Sequence, residues 1–334
     1  DQLLAIAAAL LLFGLPGWAI SRLLELHLRL PIVALPAAWG ALGLAAWTAV
    51  LLPAFALGVS IGVTTAVHVA VTIVLLAWSR LRDRSRGHAK SPLEAVSGWT
   101  VAVIGLVTLA ALVLRTRIAF DSLFHVGLVR RIAQLDSPTF DNLDRVVGAG
   151  INPAYALPTW QAAMAAVVRV TGLDAATVVE AMAVIGVLLA ACAAGALGRV
   201  VSGSIAGEIA GVSAYAWLRV VFPRRELEGD GVAYASLPGN LVLDVLLPVA
   251  LVVAVLLMRG PARRDGALVA LGAVCTVLLV VMHANYVVYL AVIGLGVAGW
   301  LLAAGPWNRR VRRRLALALT TFGVPGLVSL AAVL

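Results

Sequence analysis

Of the 334 residues, 62% are hydrophobic and 12% charged, against roughly a quarter charged in an ordinary soluble domain, and the mean hydropathy is +1.03; a water-soluble globule is excluded. The net charge of +9 comes from basic residues scattered in short loops between apolar runs, so it is a topology signal and not a nucleic-acid surface. Cys192 and Cys275, the only cysteines, both lie inside apolar runs, which excludes a disulfide framework and cysteine-based zinc sites. Lys90 is the one lysine among 25 basic residues; with abundant Ala, Val and Leu, this matches the coding bias of a GC-rich bacterium and points to a multi-pass protein of the bacterial cell membrane.

A helix rising ~1.5 Å per residue needs about 20 apolar residues to cross ~30 Å of hydrocarbon. Runs of that kind predict an all-α, polytopic transmembrane bundle of ten spans, at 3–20, 32–53, 55–78, 99–114, 174–199, 204–221, 240–258, 266–282, 285–304 and 315–334. An eleventh stretch, 152–170, is more polar, with Asn152, Pro153, Tyr155, Pro158, Trp160, Gln161 and Arg169. Three basic loops, 79–98, 259–265 and 305–314, belong in the cytoplasm by the positive-inside rule. Five segments separate the first two of these loops, yet a return to the same side requires an even number. The weakest, 152–170, is therefore expected to lie along the outer surface or to dip in re-entrantly, because Pro-interrupted backbone is tolerated at depth only against protein or water. Segments 115–173 and 222–239 then face outward, and so do both termini. The chain begins at Asp1 and stops inside an apolar run at Leu334, the pattern of a segment of a longer protein.

Polar residues gather in four places along the chain. After the fourth span, Asp121 and His125 are four apart and share a helix face, with Arg130 and Arg131 one to two turns on. That pair is compatible with an acid–base couple, with two ligands of a divalent cation, or with a cap beside a satisfied histidine; the neighbouring arginines suit a phosphate. Next, INPAYALPTWQ (151–161) combines two prolines with Asn152, Tyr155, Trp160 and Gln161, side chains suited to sugar contacts or to an interfacial aromatic anchor. In the third, PRRELEGDGVAYASLPGN (223–240), Arg224 and Arg225 lead a charged connection that ends in a Pro238–Gly239 turn. Lastly, His283, Asn285 and Tyr286 interrupt a long apolar stretch, either as a tight helical hairpin or as a polar kink near Asp121. Glu208 and Asp244 are intramembrane carboxylates and so either candidate functional groups or locally paired with a hydroxyl or arginine, whereas His68 is expected to be a satisfied core histidine. No GxxxxGK[ST] loop and no HExxH pair occurs, so nucleotide-driven transport and zincin-type hydrolysis find no support.

The order DSLFH (121–125), NPAYALPTW (152–160), LPGNLVLDVLLP (237–248) and MHANY (282–286) resembles the GT-C class of polytopic glycosyltransferases that use lipid-phosphate sugars, and more closely a group of large actinobacterial membrane proteins of that type. The resemblance spans roughly 99–304. It implies three parts: an N-terminal three-span segment (1–98), a GT-C-like catalytic core (99–304) with its outer loop at 115–173, and a basic loop with a last span (305–334). In GT-C enzymes the first large outer loop carries an acidic residue that acts as base or helps to bind a metal, and its helices lie along the membrane surface; Asp121 and the segment 152–170 match these. The chain departs in having Ser122 where a second acid often stands, and in placing its acidic loop after the fourth span.

The resemblance and the polar clusters together give the expected function: transfer of a sugar from a polyprenyl-phosphate donor to a cell-envelope glycan or lipid acceptor at the outer face of the bilayer. Asp121 would act as base and His125 would orient it; Arg130, Arg131, Arg224 and Arg225 would hold phosphate; and Asn152, Tyr155, Trp160, His283, Asn285 and Tyr286 would contact substrate. A divalent cation is allowed but no metal ligand set is assigned, and nucleic acid is not an expected partner. Two rivals remain open: a transporter or flippase of a lipid-linked precursor, with Glu180, Glu208 and Asp244 as coupling carboxylates, and a non-catalytic membrane scaffold.

Overall fold

Proline placement explains much of the helix geometry. A proline has no N–H for the carbonyl four residues before it, and helices accommodate such gaps with single π turns. The π turns at Leu10–Gly14, Trp217–Val221, Val242–Leu246 and Leu319–Gly323 each end two residues before a proline in the sequence, at Pro16, Pro223, Pro248 and Pro325.

The computed structural model describes residues 1–86, 96–113, 120–137, 158–221, 233–259, 266–283, 286, 288–289, 291–292, 294, 313, 316–317 and 319–333. Among them every regular element is helical: α1 (Gln2–Leu23), α2 (Ile32–Ala56), α3 (Ile61–Arg86), α4 (Gly98–Val113), α5 (Phe120–Leu135), α6 (Thr159–Thr171), α7 (Ala175–Ser202), α8 (Ile205–Ala216), α9 (Pro238–Arg259), α10 (Gly266–His283) and α11 (Val324–Val333). Six are long and apolar enough to cross a membrane: α1, α2, α3 as far as Asp83, α7, α9 and α10. They coincide with the spans expected at 3–20, 32–53, 55–78, 174–199, 240–258 and 266–282. The expected spans 99–114 and 204–221 form shorter helices, α4 and α8 with its π turn, and 285–304 lies mostly outside the described residues. The bundle is thus a multi-pass membrane protein with six helices of spanning length among the described residues, where ten spans were expected.

Helix α7 is the axis. Its buried residues run from Ala175 to Val200, and α1, α4, α5, α6, α8 and α9 all pack on it. Two glycine seams bring backbones close, which small residues permit in membranes. A Cβ on Gly17 would lie 1.8 Å from the Trp39 carbonyl oxygen, and one on Gly43 1.7 Å from that of Phe13. In the α7–α8 hairpin, a Cβ on Gly198 would likewise collide with the Gly207 carbonyl, and one on Gly211 with that of Ala194. Gly203, at φ +72°, ends α7 in the left-handed conformation open to glycine, and Ser204 caps α8 by accepting from the Gly207 N–H.

Cross-links between helix ends fix their sense. Arg22 meets Asp83 at 2.8 Å, Val33 packs near Gly195, and Arg259 donates to the carbonyls of Val200 and Val201; the ends of α1, α3, α7 and α9 therefore share one arginine-rich face. On the opposite face Asp136, held at φ +53°, accepts from the Ile61 and Gly62 N–H groups at the start of α3 and pairs with Arg169 of α6. Helices α7 and α9 both end on the arginine-rich face, and α8 with its π turn leads back from it toward the start of α9.

One expectation is corrected here and one is met in part. Helix α6 does not lie along the surface of the bundle: Thr159 to Val167 are all buried, enclosed mainly by α1, α3, α5 and α7. His68 is a core histidine as expected, but satisfied at one ring nitrogen only, since its Nδ1 is buried with no hydrogen-bond partner among the described residues. Its Nε2 donates to the Leu12 carbonyl at 2.7 Å, the acceptor that Pro16 releases, with Phe13 and Trp47 around its ring.

Candidate functional site

The short motifs that are far apart in sequence meet at the end of the bundle opposite the arginine-rich face. On α5, His125 is 2% exposed, and its Nδ1 lies 2.9 Å from the Gln161 Nε2 of α6. With the amide nitrogen donating, Nδ1 accepts and the proton of the neutral imidazole sits on Nε2. One turn back, Ser122 points a buried hydroxyl with no hydrogen-bond partner among the described residues. Asp121 occupies the same helix, four residues before His125 and so on its face; its side chain lies outside the described residues.

Beside Gln161, the Trp160 indole N–H donates to the Ser236 carbonyl at 2.6 Å, and the Trp47 indole N–H donates to the Thr159 carbonyl at 3.2 Å. These two bonds tie the start of α6 to α2 and to the turn before α9. That turn, Leu237–Pro238–Gly239, presses on the end of α10: a Cβ on Gly239 would stand 3.1 Å from the Tyr286 hydroxyl and 3.5 Å from the His283 ring. The His283 and Tyr286 ring centroids are 4.5 Å apart, and Tyr286 and Tyr289 5.6 Å. His125–Gln161, Trp160–Ser236 and Gly239–Tyr286–His283 thus form a continuous run of contacts through four elements.

Several expected substrate residues are placed otherwise. Trp160 is 5% exposed and fully engaged, so it is neither an interfacial anchor nor a sugar contact; a buried indole N–H needs a partner, and Ser236 supplies it. Arg130 is 49% exposed, and one of its terminal nitrogens donates to both Asp174 carboxylate oxygens at 2.9 and 3.1 Å, so a phosphate would have to compete with that carboxylate. Asp174 caps α7 by accepting from the Ala176 N–H; this backbone bond first, and then the Arg130 guanidinium, hold its carboxyl below the usual range. Arg131 is half-buried on α5. Asn152, Tyr155, Arg224, Arg225 and Asn285 lie outside the described residues. Among the described residues, no three His, Cys, Asp or Glu side chains gather as a metal site.

One pair was missed. Arg219 meets Asp244 at 2.8 Å, an ion pair inside apolar helices that joins the α8 π turn to that of α9. The signal was present in the sequence as LRVVFP and LDVLLP, a charge four residues before a proline in each of two apolar runs. Conversely, GVSIG (58–62) has the GxSxG pattern of a nucleophile elbow, yet here it joins two helices, and Ser60 Oγ accepts from the Val63 N–H.

A family model described as "Family of unknown function (DUF6541)" matches residues 10–334. No curated protein and no solved structure matches the chain.

Proposed function

The chain belongs to the DUF6541 family of unknown function, and from its own residues we propose that it is a membrane glycosyltransferase of the bacterial cell membrane, moving a sugar from a polyprenyl-phosphate donor to a cell-envelope glycan or lipid acceptor. The observation that supports this reading is the gathering of the DSLFH, PTWQ, LPGN and MHANY segments at one end of a membrane bundle, away from its arginine-rich face. A transferase needs an acid–base group within reach of an acceptor hydroxyl and cationic or N–H donors at the departing phosphate. In this reading Asp121 is the base, His125 orients the acceptor while Gln161 fixes its ring, and His283 and Tyr286 flank the sugar. Arg131, with Arg224 and Arg225, meets the phosphate; Arg130 positions α5 against α7.

The test is transfer of a labelled sugar from a polyprenyl-phosphate donor to envelope acceptor by the protein in proteoliposomes. General-base removal lowers rates about 10²–10⁴-fold, so Asp121→Asn is expected to lose at least that lower amount with an unchanged unfolding transition; full retained activity refutes the assignment.

A second reading, transport of a lipid-linked precursor, has one observation in its favour. Glu208 of α8 is 5% exposed, and its Oε1 is buried with no hydrogen-bond partner among the described residues, as befits a coupling carboxylate. Proton-dependent flux that Glu208→Gln abolishes and Asp121→Asn leaves intact would select it.

A further inference from the structure

The Arg219–Asp244 pair sits where two irregular helix segments approach each other beneath the site. Each residue lies on a π turn and four residues before a proline, so both helices are locally unwound at the contact and depend on side chains to set their spacing. The pair is well shielded, at 27% and 15% side-chain exposure. Five residues before Asp244, about one turn along the widened helix, stands Gly239, against which the Tyr286 hydroxyl and the His283 ring pack. The first turn of α9 and its π turn both pack on α10.

A desolvated ion pair is weak evidence of stabilisation, because the cost of removing two charges from water offsets their attraction, and apolar replacements are often neutral or stabilising. Its best-attested use is to specify one arrangement among several. We propose, building on the glycosyltransferase reading, that Arg219 and Asp244 are positioning residues that pin the π turn of α9 to that of α8 and so hold Gly239 beneath Tyr286 and His283. The bond is directional, 2.8 Å from the Arg219 terminal nitrogen to the Asp244 Oδ1, which contacts between apolar side chains are not.

The chain has five tyrosines, so the intact protein labelled with 3-fluorotyrosine in nanodiscs gives a resolvable fluorine spectrum, with Tyr286 assigned through Tyr286→Phe. Removing one partner alone leaves a buried charge and risks unfolding, so the informative variants are the apolar double, Arg219→Met with Asp244→Leu, and the reversed double, Arg219→Asp with Asp244→Arg. The expected result is a Tyr286 resonance displaced by more than its linewidth in the apolar double, with an unfolding transition at least as high as the wild type, and restored in the reversed double. A merely electrostatic influence would give opposite-signed displacement in the reversed double, and a merely structural staple would leave the resonance in place while lowering stability; either outcome overturns the proposal. The measurement needs neither donor nor acceptor, so it stands or falls separately from the transferase assay.

Discussion

His125, Trp160 and Asp174 show how one kind of residue acquires different work from its partner. His125 and His68 are both buried imidazoles, but His68 donates to a backbone carbonyl that a proline has vacated, whereas His125 meets a side-chain amide at the meeting point of the motifs. Trp160 read in sequence as an amphipathic surface residue because prolines and polar residues surround it; its partner, the Ser236 carbonyl, is 76 residues away, and no local pattern announces such a bond. Trp160→Phe removes that donor and is expected to lower stability by about 1–3 kcal/mol, the cost of leaving a buried acceptor unpaired, read as a lower unfolding midpoint in detergent. At Asp174 the folded carboxyl titrates below its unfolded value of about 3.9, so its contribution is complete above that pH and fades as pH falls through the folded value. Asp174→Asn is therefore expected to flatten the acid limb of the stability profile below about pH 4 and leave the neutral region's slope unchanged; an unaltered acid limb would contradict the capping account.

At the scale of elements, glycine seams and proline-linked π turns carry the packing. Gly43→Ala must push the Phe13 carbonyl out of a 1.7 Å approach, and overpacking of this kind costs about 1–3 kcal/mol or more. Gly105 of α4 has open space around it, and Gly105→Ala is expected to be neutral or stabilising by up to about 1 kcal/mol; thermal unfolding of the two variants side by side separates seam from surface. Most helices were legible because apolar runs and basic loops are strong local signals, and 152–170 stood apart by its prolines and polar residues. Its enclosure by four helices was not legible: Thr159–Val167 reads as moderately apolar whether it rests on lipid or on protein. Likewise Asp244 was visible as a lone carboxylate, while Arg219, hidden in a basic-rich sequence, drew no notice until the two π turns brought them together.

For the whole molecule, charge and contacts divide the bundle into two ends. One end holds Arg22, Arg29, Arg82 and Arg259 with their carboxylate and carbonyl partners; the other gathers residues from α5, α6, α9 and the end of α10. Such a division suits a reaction that draws a lipid-linked substrate from one leaflet and leaves the other face to topology. Motif order in the sequence suggested this gathering, but the contacts that realise it, His125 with Gln161 and Gly239 with Tyr286, come from residue types common in any bundle. The most direct measurement is photolabelling of the intact protein in liposomes with a polyprenyl phosphate that carries a diazirine beside its phosphate, followed by peptide mapping. The glycosyltransferase account expects adducts concentrated within 121–131, 236–240 and 283–289, competed by unlabelled polyprenyl phosphate; adducts concentrated instead around Glu208 or on the arginine-rich face would contradict it.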